Sequence, residues 1–269
     1  MAPLSVFIIA QNEADRIGAT LGSVAGLADD VVVVDSGSTD GTPQVAEQYG
    51  ARVLFNPWPG YGLQKRFGED ASTGGWLLNL DADEVLSPEL REEIAGLFAA
   101  GEPPCAAYRL RIAEIFPGET KPHRWAYALS PVRLYRKSAG RYSASPVHDR
   151  VDLAPGVKTG RLKGTVYHYS VRSMGDQIAK LNRYSDDQVA DLAARGKKLS
   201  TLRVFLEFPA AFFKAYLLRR HCLRGVYGFI TAMNYAYFRY LRVAKHYERV
   251  RLERLKDGAA KPGAPAKPH

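Results

Sequence analysis

The chain is sparing with cysteine, methionine and tryptophan: two Cys, three Met and three Trp in 269 residues. Cys105 and Cys222 stand far apart, which excludes a disulfide scaffold and an all-cysteine metal site. No uncharged apolar stretch reaches the ~18 residues that a spanning helix needs. Met1-Ala2-Pro3 carries no basic residue ahead of the strand-like run beginning at Leu4, unlike a secretory signal. A reducing, cytoplasmic setting is therefore expected. No internal repeat is visible. What is present, 46% hydrophobic, 24% charged and 11% aromatic residues, excludes a wholly disordered chain, a collagen-like repeat and a coiled coil. It suits one large domain, or one domain with a helical appendage.

The net charge of +9 is unevenly placed. Residues 195–256 hold 15 Lys/Arg against Glu207, Glu248 and Glu253, whereas residues 1–194 hold 20 against 24 Asp/Glu. An acidic body thus carries a basic carboxy-terminal region, an asymmetry that points to a polyanionic neighbour, membrane headgroups or nucleic acid.

Periodicity divides the first hundred residues into alternating elements. Leu4–Ala10, Val31–Val34, Arg52–Phe55 and Trp76–Leu80 are short apolar runs bounded by turn residues, the pattern of strands buried on both faces. Between them, Glu13–Val24 carries Ile17, Leu21 and Val24 on one stripe, and Thr42–Tyr49 ends at Gly50 as a left-handed terminator. Ser87-Pro88 opens a helix over Glu89–Ala99 as N-cap and first helical residue. Such alternation predicts an α/β fold, a mainly parallel sheet with helices on both faces. From Gly101 to Gly164 the pattern loosens into strand-like pieces (Ala106–Ile112, Val132–Tyr135, Thr165–Tyr169) between long loops expected to be binding surface. Helical periodicity returns near Ser173 and runs to about Lys256, with breaks expected at Gly196, Pro209 and Gly225. The expected organisation is a catalytic domain over 1–172, a helical region over 173–256 and a disordered Pro/Ala/Lys tail over 257–269.

Three polar clusters close three of the predicted strands. Leu80-Asp81-Ala82-Asp83-Glu84 follows the fourth, and carboxylates at i and i+2 of an extended segment face one way. Like charges gathered at a buried edge repel unless a cation is present, and a divalent ion with oxygen preference, Mg²⁺ or Mn²⁺, would bridge them to a diphosphate. An acidic turn capping the next helix is the structural alternative. Asp35-Ser36-Gly37-Ser38-Thr39-Asp40-Gly41-Thr42 follows the second strand; an aspartate there accepts hydrogen bonds from a base or sugar. Neither the Walker spacing nor GxGxxG is present. Gln11-Asn12-Glu13 closes the first strand and would face the same crevice. Together the clusters outline a nucleotide and metal pocket.

The ordered series LSVFIIAQNEADRI, DDVVVVDSGSTDGT and WLLNLDADE resembles the family 2 glycosyltransferases with the GT-A fold, over roughly residues 4–100. The segments around Trp58–Arg66, Pro146–Val151 and His168-Tyr169-Ser170, with the basic helical end, resemble the branch that adds a sugar to the inner core of lipopolysaccharide, the core β-1,4-glucosyltransferases. The resemblance implies a nucleotide-sugar donor such as UDP-glucose, a divalent cation and inversion at the anomeric carbon. It places Gln11, Asn12 and Glu13 along the nucleoside, Asp35 at the uracil edge, Asp81 by the ribose and metal, Asp83 on the metal, and Gln64 and Lys65 near the donor phosphate and sugar. The aspartate-containing acceptor motif of larger members is not evident here.

Inversion needs a general base for the attacking hydroxyl. Asp149 is the leading candidate, with His148 and Glu84 as alternatives; His168 is a third metal ligand, a phosphate binder or a core histidine. At the basic end, Phe205, Phe208, Phe212, Phe213, Tyr216 and Leu217 precede Arg219-Arg220, a composition that suits an interfacial element on an anionic membrane or a helical cap with a solvated basic face. The expected acceptor is lipid-linked and the expected placement peripheral on the inner membrane. A polyprenyl-phosphate or capsule acceptor is an alternative within the family. A nucleotidyltransferase would show a glycine-rich basic loop after the first strand, which is missing, and the acidic sheet domain argues against a non-catalytic nucleic-acid-binding protein.

Overall fold

The structure, a computed structural model, describes residues 3–145, 149–197 and 199–259. The chain forms two compact units: residues 1–123 with 127–170, and residues 124–126 with 171–269.

The first unit is an α/β sheet, the architecture expected. β1 (Leu4–Ala10), β2 (Asp30–Asp35), β3 (Arg52–Phe55) and β4 (Trp76–Asp81) pair in parallel in the order β3-β2-β1-β4. Beyond β4 come β8 (Val132–Arg136), β6 (Ala107–Glu114), β11 (Thr159–His168) and β5 (Glu84–Leu86). β8 and β5 run antiparallel to their neighbours, while β6 and β11 run with β4. β7 (Ala128–Leu129) pairs with β6, and β9 (Gly140–Tyr142) with β10 (Val151–Leu153) forms a separate ribbon.

Residues two apart on the buried β1 feed two cores. Val6 and Ile8 pack with Ile17 and Leu21 of α1 (Ile17–Val24) and with Leu90 and Ile94 of α4 (Pro88–Ala99). Phe7 and Ile9 pack with Val32, Leu77 and Tyr135 and with Phe67 of α3 (Tyr61–Ala71). Each buried side chain of this size contributes roughly 1.5–3 kcal/mol. Ser87 Oγ accepts the Leu90 N–H at 3.2 Å with Pro88 first in α4, as expected. α2 (Thr42–Gln48) is followed by Gly50 at φ 78°.

Three details differ from expectation. α1 begins at Ile17 and not Glu13, because the Glu13 carbonyl first closes a turn with the N–H groups of Arg16 and Ile17. α3 is a helix that periodicity did not reveal, since its buried side includes Gln64, Lys65 and Glu69. Ala82 and Asp83 form a turn between β4 and β5 and do not prolong the strand.

The second unit contains α5 (Met174–Ala194), α6 (Leu202–Phe213), a π turn (Lys214–Leu218), a 3₁₀ turn (His221–Arg224) and α7 (Gly225–Ala259). Ser173 caps α5, accepting the Asp176 N–H at 3.1 Å. Gly196 and Gly225, at φ 61° and 58°, stand at helix ends as expected. Pro209 is a correction: it lies inside α6. A missing N–H costs that helix one hydrogen bond without ending it, because α6 is tied to α7 through Glu207, which accepts from Arg203, Arg239 (2.6 Å) and Arg242 (3.2 Å). α7 continues through residues 257–259, where the tail was expected to begin; residues 260–269 lie outside the described residues.

Candidate active site

Six strands run in one direction, and five of them bring Ala10, Asp35, Asp81, Glu114 and His168 to one edge of the sheet as their last residues. Register levels them: Ala10 lies beside Asp35, Ile9 beside Asp81, and His168 beside both Glu114 and Glu84. Ligands of open α/β sheets bind outside such carboxyl ends.

Lys65 of α3 stands at the centre, fully buried, its Nζ 2.9 Å from Asp81 Oδ1 and 2.5 Å from Asp149 Oδ2. Gly62, one turn earlier, lets α3 approach the following chain closely: its N–H donates to the Ser145 carbonyl at 3.1 Å. A Cβ there would lie 2.1 Å from the Ser143 oxygen. Arg133 of β8, also buried, places Nη2 3.1 Å from Asp81 Oδ2 and 3.4 Å from Glu84 Oε1. Its Nη1 donates to Asn79 Oδ1, which also accepts the Tyr142 hydroxyl at 2.7 Å. Glu84 Oε2 accepts the Asp81 N–H at 2.9 Å.

This network fixes charge states. Burial alone would raise Asp81, but Lys65 and Arg133 hold its carboxyl well below the usual carboxylate range. Burial and Arg133 oppose the charge on Lys65, yet Asp81, Tyr142 and Asp149 raise it above the ordinary lysine range. Burial raises Glu84 in spite of Arg133. It also pushes Tyr142 up to about 12 against Arg133 and Lys65, so the phenol keeps its proton.

Asp83, turned from the strand, meets a different set: His168 Nε2 at 3.4 Å and Arg16 Nη1 at 3.6 Å. Arg16 also donates to Glu13 Oε2 and, at 2.8 Å, to the Tyr169 carbonyl, so it joins Glu13, Asp83 and the end of β11. Burial would raise Asp83, but His168 and Arg16 lower it. Burial would lower His168, but Asp83, Glu84 and Asp81 lift it to about 9. The expectation that Asp81 and Asp83 act as an i, i+2 pair on one extended face is therefore corrected: the turn at Ala82 gives the two carboxylates separate cationic partners.

The loops after β1 and β2 are laced together. Asp35 accepts the Gly37 and Ser38 N–H groups at 2.9 and 3.0 Å and the Ser38 hydroxyl at 2.5 Å, which shapes its own loop. Asn12, at φ 57°, donates its N–H to Ser38 Oγ (2.8 Å) and accepts the Thr39 N–H (2.9 Å). Gln11 Nε2 lies 3.5 Å from the Ser36 carbonyl, and the Glu13 N–H donates to Thr42 Oγ1 at 2.8 Å. Gln64 is fully buried, bonded to Ser36 Oγ (2.9 Å) and Asn56 Nδ2 (2.6 Å), so its amide braces the loops after β2 and β3. His148 lies outside the described residues.

Among the described residues no three His, Cys, Asp or Glu side chains gather as a ready metal cage. Both oxygens of Asp81 rest on cationic side chains. Asp83 is different: its contacts are long, and an imidazole stands beside it. Mg²⁺ and Mn²⁺ take one or two carboxylates and draw their remaining ligands from water and phosphate, and the Asp83–His168 pair fits such an ion. Arg133, Asn79, Tyr142 and Arg16 were missed by sequence reasoning; the signal for two of them is a polar residue inside an apolar strand, Arg133 in VRLYR and Asn79 in WLLNLD.

The first unit is thus a mixed α/β sheet with an acidic, partly buried carboxyl edge, the place where open α/β sheets bind their ligands. Residues 5–156 match the model of glycosyl transferase family 2, and the chain belongs to that family. It is 40% identical over 253 residues to a protein of Rickettsia felis described as an uncharacterized glycosyltransferase, covering 91% of this chain and 89% of the relative. It is 33% identical over 261 residues to the lipopolysaccharide core biosynthesis glycosyltransferase LpsC of Rhizobium meliloti, covering 92% of this chain and 93% of LpsC. Among solved structures, S. aureus TarS 1–349 aligns over 93% of this chain and 92% of its own with a TM-score of 0.47 and 16% identity.

Proposed function

We propose that the chain is an inverting hexosyltransferase that moves glucose from UDP-glucose onto a lipid-linked inner-core saccharide of lipopolysaccharide, at the cytoplasmic face of the inner membrane. Likeness to LpsC along nearly the whole of both chains supports the acceptor class. The observation that carries the chemistry is the chain of contacts Asp149–Lys65–Asp81 at the carboxyl edge of the sheet.

In this reading Asp149 is the general base. Lys65 anchors its Oδ2 and leaves 28% of the side chain exposed. The carboxylate accepts the acceptor hydroxyl proton as the new C–O bond forms and the nucleoside diphosphate departs from the opposite face of the sugar. Glu84, buried and bonded to Arg133 and the Asp81 N–H, is out of reach of an acceptor, which favours Asp149. The laced loops of Gln11, Asn12, Glu13 and Asp35 would receive the nucleoside, and Arg16 brings positive charge beside Asp83. Asp83 and His168 would hold a divalent ion, with His168 giving up its proton to do so; when bound, the ion supplies charge that stabilises the departing diphosphate.

A thermal-shift panel of UDP-, GDP- and ADP-linked sugars with and without Mn²⁺ tests the donor class, with metal-dependent stabilisation by UDP-glucose expected. D149N is expected to keep that donor-induced shift while transfer falls about 10²- to 10⁴-fold. Near-normal turnover by D149N would remove Asp149 from the role.

A further inference from the structure

α6 turns its apolar side outward. Leu202, Phe205, Leu206, Pro209, Ala210 and Phe213 recur at three- and four-residue spacing, and all are exposed, Phe205 to 71%. Leu217 and Leu218 of the π turn extend the stripe, Leu218 at 79%. The opposite side carries Glu207, Ala211 and Ala215, which are buried. A helix on a water-soluble domain is built the other way, with its apolar stripe inward and its polar side out. From Leu202 to Leu218 the stripe runs roughly 25 Å at ~1.5 Å per residue, and contiguous apolar surface on that scale marks an interaction site.

Charge identifies what covers it. Between Asp191 and Glu248 the sequence contains one acid, Glu207, and eleven Lys/Arg. That acid is buried and already shared by three arginines. Exposed Arg195 and Lys197 precede α6, and exposed Lys214 and Arg220 stand at its far end. A second copy of the chain would bring the same cations against one another, whereas an anionic bilayer answers both the apolar stripe and the charge. Among the described residues no helix is long and apolar enough to cross a membrane, so α6 would lie in the interface.

We propose that the outward face of α6 and the π turn docks on an anionic phospholipid bilayer, with Phe205, Leu206, Phe213, Leu217 and Leu218 among the acyl chains and Lys214 and Arg220 at the headgroups. The proposal gives the lipid-linked acceptor of the preceding reading a place to be met, and rests on that reading only there. The test is co-sedimentation of the full chain with vesicles of phosphatidylcholine alone or with about a third phosphatidylglycerol, a surface on which each nearby Lys or Arg adds about fivefold binding. Wild type is expected to pellet with the anionic vesicles, less so in high salt. The triple variant F205S/F213S/L217S is expected to lose at least tenfold in partition coefficient while its circular dichroism and its donor-induced thermal shift stay as in wild type. Wild type left in the supernatant, or a triple variant that pellets equally well, overturns the proposal. So does light scattering that finds a dimer dissolved by the same substitutions without vesicle binding, which would assign the face to a second copy. Failure of sugar transfer leaves the vesicle result standing, and failure of vesicle binding leaves the transferase reading standing.

Discussion

Replacing Lys65 with methionine removes the buried ammonium while keeping the length of the side chain. Asp149 then loses its partner, and Asp81 is left with Arg133 alone. Removing one member of a buried ion pair costs about 3–5 kcal/mol, most of it the stranded charge. Two features pull the expectation to the lower end, about 3 kcal/mol: Arg133 stays on Asp81, and 28% of the Asp149 side chain reaches solvent and can rehydrate. For a protein of this size a kcal/mol shifts Tm by roughly 2–4 °C, so K65M is expected to melt roughly 6–12 °C below wild type. The sharper measurement is the double variant K65M/D81N in urea. Once the ammonium is gone, neutralising Asp81 removes a penalty, so the pair is expected to be less destabilising than the sum of the singles by about 1–3 kcal/mol. K65M melting within a degree of wild type, or strict additivity with D81N, would refute the view that Lys65 is an internal counter-ion.

Three further outcomes are expected. G62A places a Cβ 2.1 Å from the Ser143 oxygen and 2.6 Å from that of Ser145, so α3 must move; about 1–3 kcal/mol of stability should be lost, and transfer should fall more than donor binding because Lys65 carries Asp149. E207Q leaves Arg203, Arg239 and Arg242 without their shared anion; about 3–5 kcal/mol should be lost, seen as faster amide exchange along α6 and the facing turns of α7. Asp30, which burial alone would raise, is drawn down to about 2 by Arg52, the Thr73 N–H and the Ser5 hydroxyl. Its depressed value contributes stability above the unfolded value near 3.8 that fades as pH falls toward 2, about 1 kcal/mol once solvent screening of a pair with the half-exposed Arg52 is allowed for. Urea midpoints between pH 7 and pH 2 should show that loss in wild type and a flatter profile in D30N.

What the sequence disclosed and what it hid divide along one physical line. β1, β2 and β4 were legible because strands buried on both faces must be apolar throughout. β3 has the expected limits, Arg52–Phe55, but it is the edge strand with Arg52 and Phe55 exposed, which corrects the expectation that it is buried on both faces. The cap at Ser87 and the helix ends at Gly50 and Gly196 were legible because they are settled by neighbours in the chain. α3 was not: the partners that satisfy its buried polar side are Asn56, Ser36, Asp149, Asp81 and Tyr135, and most lie far along the chain. The same holds for Pro209, tolerated inside α6 because Glu207 binds arginines 32 and 35 residues away.

The acidic motif shows how far local reasoning reaches. Carboxylates gathered at Asp81, Asp83 and Glu84 do require positive charge, and from the motif alone a metal ion is the economical source. Most of that charge comes from Lys65 and Arg133, residues 16 positions before and 52 after Asp81, on an unforeseen helix and within the buried run of β8. A charged residue in a segment whose pattern demands burial is thus itself a signal, since it cannot stay there without an opposite charge. Lys65 inside α3, Arg133 inside β8 and Glu207 inside α6 each break the local pattern, and each is the hub of its unit's ion pairs. Among the described residues Asp83 meets His168 and Arg16 at 3.4 and 3.6 Å, longer than the contacts of Asp81, and in the proposed reading it is the carboxylate that would take a divalent ion accompanying the donor.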